Sequence, residues 1–403
     1  MFACVITPPW RLLGLLLLLT LSACEPVAPT KQFDQQLYIW QRQWRPAHAE
    51  ALAQSRADFS TLRVLALQAQ PQEGWTRARI DPAMLKADGR PIIAVVRLDG
   101  QLPQLDSAAI HGQIQRLLSD WQAAGLAVVG LEIDHDCASA RLPAYAELLK
   151  SLRQALPAQL KLSITALPAW LASPPLEKLL ASVDSSVLQV HAVSNPALGL
   201  FAPQTALRWA HAYAARSPKP FYLALPAYGV GLIESTAGAP LVESEAPLNT
   251  RAPRRELQAE PEQVADLIQA LQTDPPENLA GLIWFRLPLA GDRRAWPLRT
   301  LQAVARGQVL QANIGIEIHR GGALAELSLH NNGNLNGALP ARIELSTAHC
   351  DGADAVGGYH LQRSANRLVW LRQSPGQLAA GQQLALGWAR CQTIEQGEVG
   401  VKP

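Results

Sequence analysis

Between residues 37 and about 305, short apolar runs rich in leucine and β-branched residues alternate with stretches whose apolar positions recur at helical spacing. The runs are Leu37–Trp40, Leu62–Leu67, Ile92–Leu98, Ala127–Asp134, Lys161–Ala166, Val187–Ala192, Phe221–Leu225 and Gly281–Phe285. Near-continuous apolarity over so few residues is the pattern of strands covered on both faces. Between them, Asp106–Ala124 places Ile110, Ile114, Leu117, Leu118 and Trp121 on one helical stripe, and Ala144–Leu156 reads the same way. Eight strands separated mostly by helices over roughly 270 residues predict an α/β fold, a (β/α)8 TIM barrel spanning residues 37–306. A doubly wound open sheet is the competing arrangement, but no glycine-rich phosphate loop follows the first strand. After Gln308 the texture becomes short alternating segments with turn signals: Ile314–Ile318, Ala325–Leu329, Ala341–Leu345, Tyr359–Leu361, Arg367–Leu371 and Leu384–Trp388. These predict a small all-β sandwich over 307–403.

The chain has 403 residues, of which 48% are hydrophobic and 17% charged, enough apolar material for one large and one smaller domain. A net charge of +2 with no basic block gives no support to nucleic acid as a partner. The N-terminus adds a location. Arg11 is the only charged side chain of the first 24 residues, the apolar run Leu12–Leu21 is too short to span a bilayer as a mature helix, and Leu21-Ser22-Ala23-Cys24 follows. Small residues before a cysteine resemble the bacterial lipoprotein cleavage box. The resemblance implies a signal peptide over 1–23, a diacylglycerol-modified Cys24, a tether over 24–36 and a protein held by its lipid in the cell envelope. Glu25 is not the aspartate associated with inner-membrane retention, which favours the periplasmic face of the outer membrane.

Export decides the cysteines. Cys4 leaves with the signal and Cys24 carries lipid, so Cys350 and Cys391, close in the C-terminal stretch and in an oxidising compartment, are expected to form a disulfide. Cys137 remains as a buried thiol, poorly suited to nucleophilic work because adjacent carboxylates suppress its thiolate.

The candidate chemistry lies at the end of the fourth predicted strand, Val128-Val129-Gly130-Leu131-Glu132-Ile133-Asp134-His135-Asp136. The spacing of two puts Glu132, Asp134 and Asp136 on one face, roughly 6.5–7 Å apart in sequence along the strand, where each disfavours its neighbour's ionisation. Barrel chemistry sits at the C-terminal strand ends. Alternation brings Tyr38 and Trp40, Arg97 and Asp99, Ser163 and Thr165, Gln189 and His191, Tyr228, and Trp284 and Arg286 to the same mouth. Solvated acids, buried ion pairs and a core tryptophan are the structural alternatives. Carboxylates beside indole faces and hydrogen-bond donors suit a sugar ring, with acids to protonate a glycosidic oxygen and aromatic faces to cover C–H surfaces. Glu132, Asp134 and Asp136 have the oxygens for a hard cation, but a metal is the weaker reading. The nine histidines include no HxxxH or HExxH pair, no GxSxG elbow is present, and no cofactor is expected.

Gly130-Leu131-Glu132-Ile133-Asp134-His135-Asp136 resembles the fourth-strand signature of glycoside hydrolase family 18, Asp-Gly-x-Asp-x-Asp-x-Glu, and Trp284 falls where that family has a tryptophan floor. Val129 replaces the first aspartate, Glu132 the second, and Asp136, one methylene shorter, stands at the catalytic glutamate. The resemblance implies Asp136 as acid, Asp134 as charge partner and Glu132 as tuner. It also implies Trp40 and Trp284 as sugar platforms, with Tyr228 and Gln189 positioning an acetamido group. A longer resemblance is carried by Tyr38-Ile39-Trp40-Gln41-Arg42, by Glu132–Cys137 with Tyr145 and Leu148-Leu149, by Leu188-Gln189-Val190-His191, and by Gly387-Trp388-Ala389-Arg390-Cys391. These residues are similar to an uncharacterised family of bacterial lipoproteins known only as a domain of unknown function. The expected function is a glycoside-hydrolase-like lipoprotein acting on a polysaccharide or peptidoglycan-derived glycan. Its rival is a glycan-binding or scaffolding protein that kept the barrel and lost the acid. The stretch from Gly229 to Pro261, with Glu234, Glu243, Glu245, Arg251, Arg254 and Arg255, is long for a barrel loop and suits either a lid or a disordered excursion.

Overall fold

The eight apolar runs form eight parallel strands that close into a barrel: β1 Asp34–Ile39, β2 Thr61–Gln70, β3 Ile92–Leu98, β4 Val128–Asp134, β5 Lys161–Ala166, β6 Ser185–Gln189, β7 Phe221–Pro226 and β8 Leu279–Phe285. This computed structural model describes Met1 and residues 31–191, 199–233, 241–243 and 253–395, so Cys24 and most of the expected tether lie outside the described residues. Closure is made by β1, which pairs with β2 through Leu37↔Leu62 and with β8 through Leu37↔Trp284. Helices follow the strands: α1 Pro46–Ser55, α2 Pro82–Asp88, α3 Ser107–Ala123, α4 Leu142–Ala155, α5 Leu176–Ala181, α6 Pro203–Ala214, α7 Pro261–Thr273 and α8 Leu298–Ala305.

Two apolar layers explain why the strands read as nearly continuous hydrophobic runs. Outward residues such as Leu37, Leu62, Ile133, Leu162 and Leu223 pack on the helices, where Ile110, Ile114, Leu117 and Trp121 of α3 meet them. Inward residues Leu65, Val95, Val187, Ala224 and Ile283 fill the barrel with Tyr38 and Trp40 above them. Asp106 begins α3 by accepting from the Ala109 N–H at 3.0 Å. Asp106→Ala is expected to lower global stability by about 1 kcal/mol, measured by urea unfolding, because one helix-end donor loses its acceptor.

Two departures from strict alternation matter at the mouth. The β2–β3 register shifts between Leu65 and Leu67. After this bulge Leu67 and Ala69 join the outer layer, whereas Gln68 and Gln70 turn into the barrel. On the far side, the long segment after β7 is not shapeless. Gly229–Ile233 forms the middle of a three-stranded antiparallel sheet with Leu241–Glu243 and Arg254–Gln258, while Glu234, Glu245 and Arg251 lie outside the described residues.

Beyond the barrel, strands Ile314–Gly321, Leu324–Asn331, Gln383–Glu395, Arg342–Ala355, Arg367–Arg372 and Tyr359–Ser364 pair antiparallel in that order, with a small two-stranded sheet, Gly337–Ala338 against Gln377–Leu378. This all-β region has its own core around Leu329, Ile343, Leu345, Leu368, Trp370 and Leu386. Cys350 and Cys391 sit opposite each other on neighbouring strands and are joined as a disulfide, as expected. Cys137 is a buried free thiol, and burial, chiefly, pushes it up to about 11.

Candidate active site

The three acids of β4 and its continuation are stacked from the barrel interior toward the mouth, and each meets a different environment. Glu132, deepest, is fully buried. It pairs with the Arg63 guanidinium, accepts from Tyr38 Oη at 2.6 Å and from Ser163 Oγ at 3.3 Å. Arg63 is buried too, and its Nε donates to Gln36 Oε1 at 2.9 Å while its guanidinium lies over the Tyr222 ring. Burial raises the Glu132 carboxyl, and the Arg63 charge opposes the rise. Glu132 is thus the centre of a satisfied interior network and does not line the cavity above it.

Asp134 is one layer higher, 2% exposed, and lines the cavity. It accepts from Thr165 Oγ1 at 2.7 Å and Gln189 Nε2 at 3.3 Å, and Arg97 Nη1 lies 3.4 Å from its Oδ2. Asp136 is outermost, with 32% of its side chain exposed. Gln189 Nε2 also donates to Asp136 Oδ1 at 3.3 Å, and Arg97 Nη2 lies 3.6 Å from Asp136 Oδ2. One amide and one guanidinium therefore bridge the two aspartates. Desolvation and then the Asp134 charge push Asp136 up to about 7, against the opposing pull of Arg97 and Gln189.

The cavity over these groups, about 330 Å³, is lined by the aromatic residues Tyr38, Trp40, Tyr228 and Phe285, by Gln68 and Gln70, and by Arg97 and Asp99. Gln189, His191 and Arg286 also face it. Asp136 is not on its wall but is held by Gln189 and Arg97, which are. Trp40 presents its ring edge-on to Phe285, centroids 5.1 Å apart, and Arg97 lies over the indole at 5.8 Å. His191 stacks on Phe285 at 5.3 Å, with Tyr228 Oη 3.1 Å from its Nδ1. Burial alone pushes His191 down to about 4, so it is a neutral imidazole at neutral pH, and burial raises the Tyr228 phenol well above its ordinary value. Asp99 caps the turn after β3 by accepting from the Gln101 N–H at 2.8 Å.

One expected platform is elsewhere. Trp284 is fully buried in the layer between strands and helices, packed on Trp296 and donating from Nε1 to Gln35 Oε1 at 2.7 Å. Its neighbour Phe285 occupies the inside. Strand alternation makes Ile283 and Phe285 the inward residues of β8. Arg286, where the strand has ended, reaches the cavity beside Phe285, so alternation counted back from Arg286 misassigns Trp284. Arg286 itself pairs with Asp292 at 2.8 Å. Arg42, Arg63, Gln68, Gln70 and Phe285 were not among the expected site residues. Gln68 and Gln70 carried a signal, two amides spaced by two at the end of an otherwise apolar strand, whose facing only the bulge decides.

A family model described as a domain of unknown function, DUF3142, matches residues 88–290, which run from the end of α2 to just past β8 and include Asp134, Asp136, Gln189 and Tyr228. The chain belongs to the DUF3142 family. A second model, also a domain of unknown function, DUF8456, matches residues 314–392, the antiparallel region. No curated protein matches. Among solved structures, the Bacillus cereus spore cortex-lytic enzyme SleL is similar at 11% identity and a TM-score of 0.51, covering 70% of this chain and 75% of that one. A chitinase from Chromobacterium violaceum superposes at 15% identity and a TM-score of 0.47, covering 68% of this chain and 98% of that one. The likeness to SleL is one of fold, a TIM barrel.

Proposed function

We propose that this protein is an envelope lipoprotein whose barrel cleaves a glycan, with Asp136 as proton donor to the glycosidic oxygen. The observation that carries the reading is the pairing of Asp134 and Asp136 by shared contacts to Gln189 and Arg97. Two carboxylates held together in unequal solvation divide the labour of acid and charge stabiliser. Asp134, deep and fixed by Thr165, faces the developing positive charge of an oxocarbenium-like transition state. Asp136, nearer solvent, delivers the proton. Trp40 and Tyr228 supply aromatic surface to a sugar, and Gln189 holds both acids in register. The SleL fold, that of an enzyme described as cortex-lytic, is compatible with this chemistry. Anchorage through Cys24 completes the proposal on the strength of the sequence around the cleavage box.

The test is to incubate a soluble chain beginning at Lys31 with a panel of envelope glycans, N-acetylated and not, and to seek cleavage products by mass spectrometry. Products establish the hydrolase. Binding without products supports the second reading, a glycan-binding barrel, which is favoured by Asp136 being off the cavity wall and one methylene shorter than the glutamate of family 18.

The pH profile is a separate expectation. With Asp136 at about 7, the donor is protonated below that pH and is lost above it, so kcat is expected to fall as pH rises through about 7. The same group makes stability pH-dependent. Its folded value lies above its ordinary 3.8, so the native state holds the proton more tightly. Its contribution to stability is fully present below pH 3.8 and is lost as pH rises to about 7. Urea midpoints taken across that window, with Asp136→Asn as reference, isolate its share.

A further inference from the structure

Three carboxamides face the carboxylate cavity, those of Gln68, Gln70 and Gln189. Gln189 is engaged, its Nε2 shared between Asp134 and Asp136. The other two differ. Gln68 is 5% exposed, and its side chain makes no hydrogen bond to any described residue. Gln70 Oε1 is buried and accepts from none of the described residues. A buried amide without a partner is costly, and an apolar residue would close the top of β2 as Leu65 does one layer below. The strand that carries the two amides is held on both sides. Past the bulge, β3 pairs with one side of it through Gln68↔Arg97. On the other side, where β1 has stopped pairing, the short antiparallel strand Gly74–Arg77 takes over through Gln68↔Thr76 and Gln70↔Gly74. Register then fixes their place relative to the acids. Gln68, Arg97 and Asp134 occupy one row across β2, β3 and β4, so Gln68 lies two strand spacings, about 10 Å along the sheet, from Asp134.

We infer that Gln68 and Gln70 set the specificity of the cavity by binding a vicinal diol on an uncharged sugar unit beside the two aspartates. This rests on the glycan reading above and names its substrate class. A carboxamide carries no charge and presents a donor and an acceptor on one edge, so its complement is an acceptor and a donor side by side. Adjacent ring hydroxyls are such a pair, because each both donates and accepts. An acetamido group is not. As a secondary amide it is trans, with its N–H and C=O on opposite sides, so a carboxamide on one wall meets only one of them. An ionised carboxylate or phosphate offers acceptors only and leaves the buried Gln70 Oε1 unpaired. A sugar unit whose diol sits on Gln68 extends along the row towards Asp134, which directs its far end to the acids.

The experiment measures affinity calorimetrically for three β-1,4-linked hexamers, of glucose, of mannose and of N-acetylglucosamine. Internal units of the first two carry a free vicinal diol, and those of the third do not. The proteins are the wild type, the cavity variant Gln68→Met/Gln70→Met, which keeps side-chain length and removes the amides, and a control. The control is Gln122→Met/Gln154→Met, at two exposed positions on the outer helices α3 and α4. The wild type is expected to bind one or both diol hexamers roughly tenfold or more tighter than the N-acetylglucosamine hexamer. That gap is expected to close in the cavity variant through weaker binding of the diol hexamers alone, and to persist in the control. If the cavity variant proves poorly folded by circular dichroism, Gln70→Met alone, at a half-buried position, replaces it and is expected to narrow the gap in the same sense. Equal affinities in the wild type, tighter binding of the N-acetylglucosamine hexamer, a gap that survives the cavity substitutions, or one that closes equally in the control overturns the inference and leaves the glycan reading standing. No binding of any hexamer to the wild type also overturns the inference, and the glycan reading is then decided by the cleavage panel alone.

Discussion

Asp136→Asn is expected to lower the rate of glycan cleavage by about 10²–10⁴-fold while leaving glycan affinity near that of the wild type. The substitution is isosteric and keeps an oxygen for the Gln189 amide, so the frame around Asp134 persists. What disappears is the transferable proton. Loss of affinity together with rate indicates a binding role for the side chain, and unchanged product formation removes Asp136 from the mechanism. Stability offers a control that points the other way. At pH 8 the wild-type carboxylate is ionised against desolvation and the Asp134 charge, so the neutral amide is expected to match or exceed wild-type stability. A rate loss explained by unfolding is thereby distinguishable from a rate loss due to chemistry.

The second large effect lies beneath the cavity. Glu132→Leu is expected to destabilise the fold by about 3–5 kcal/mol, because it strands the buried Arg63 guanidinium and removes the acceptor of Tyr38 Oη. Removing both charges in Arg63→Met/Glu132→Leu is expected to recover most of that loss, since a buried ion pair replaced by apolar side chains of similar volume is often close to neutral. Guanidinium unfolding of the two single variants and the double variant closes the cycle. A double variant as unstable as Glu132→Leu alone shows that the network is indispensable as a whole. The arrangement separates roles that the repeated spacing made look alike: Glu132 holds the floor, Asp134 lines the cavity, and Asp136 is tied to its wall through Gln189 and Arg97.

The barrel was legible because each of its strands is apolar on both faces over a length no helix would need, and the helices between them keep a clean stripe, as Ile110, Ile114, Leu117 and Trp121 do in α3. The mouth was legible where a strand keeps its alternation to the end. Trp40, Arg97, Asp134, Gln189 and His191 all line the cavity for that reason. It was not legible where alternation breaks. The bulge after Leu65 exchanges the faces of β2 and hides Gln68 and Gln70, and the end of β8 at Phe285 exchanges Trp284 for its neighbour. Arg63 was missed for another reason. A lone cation inside an apolar run declares its partner only once β2 and β4, two strands apart in the sheet, are wrapped into the same barrel.

The closure through β1 and β8 has a consequence for how the molecule comes into being. Leu37 must find Trp284 across nearly the whole barrel sequence, a non-local contact of the kind that slows folding. The stretch 88–290 matched by the family model contains β3 to β8 but neither β1 nor β2, so taken alone it is an arc with two open edges rather than a ring. Expressed alone, such an arc exposes unpaired backbone at β3 and β8 and is an aggregation template. The matched stretch and the autonomous folding unit are therefore different objects, and the growing polypeptide has no finished wall until its eighth strand arrives.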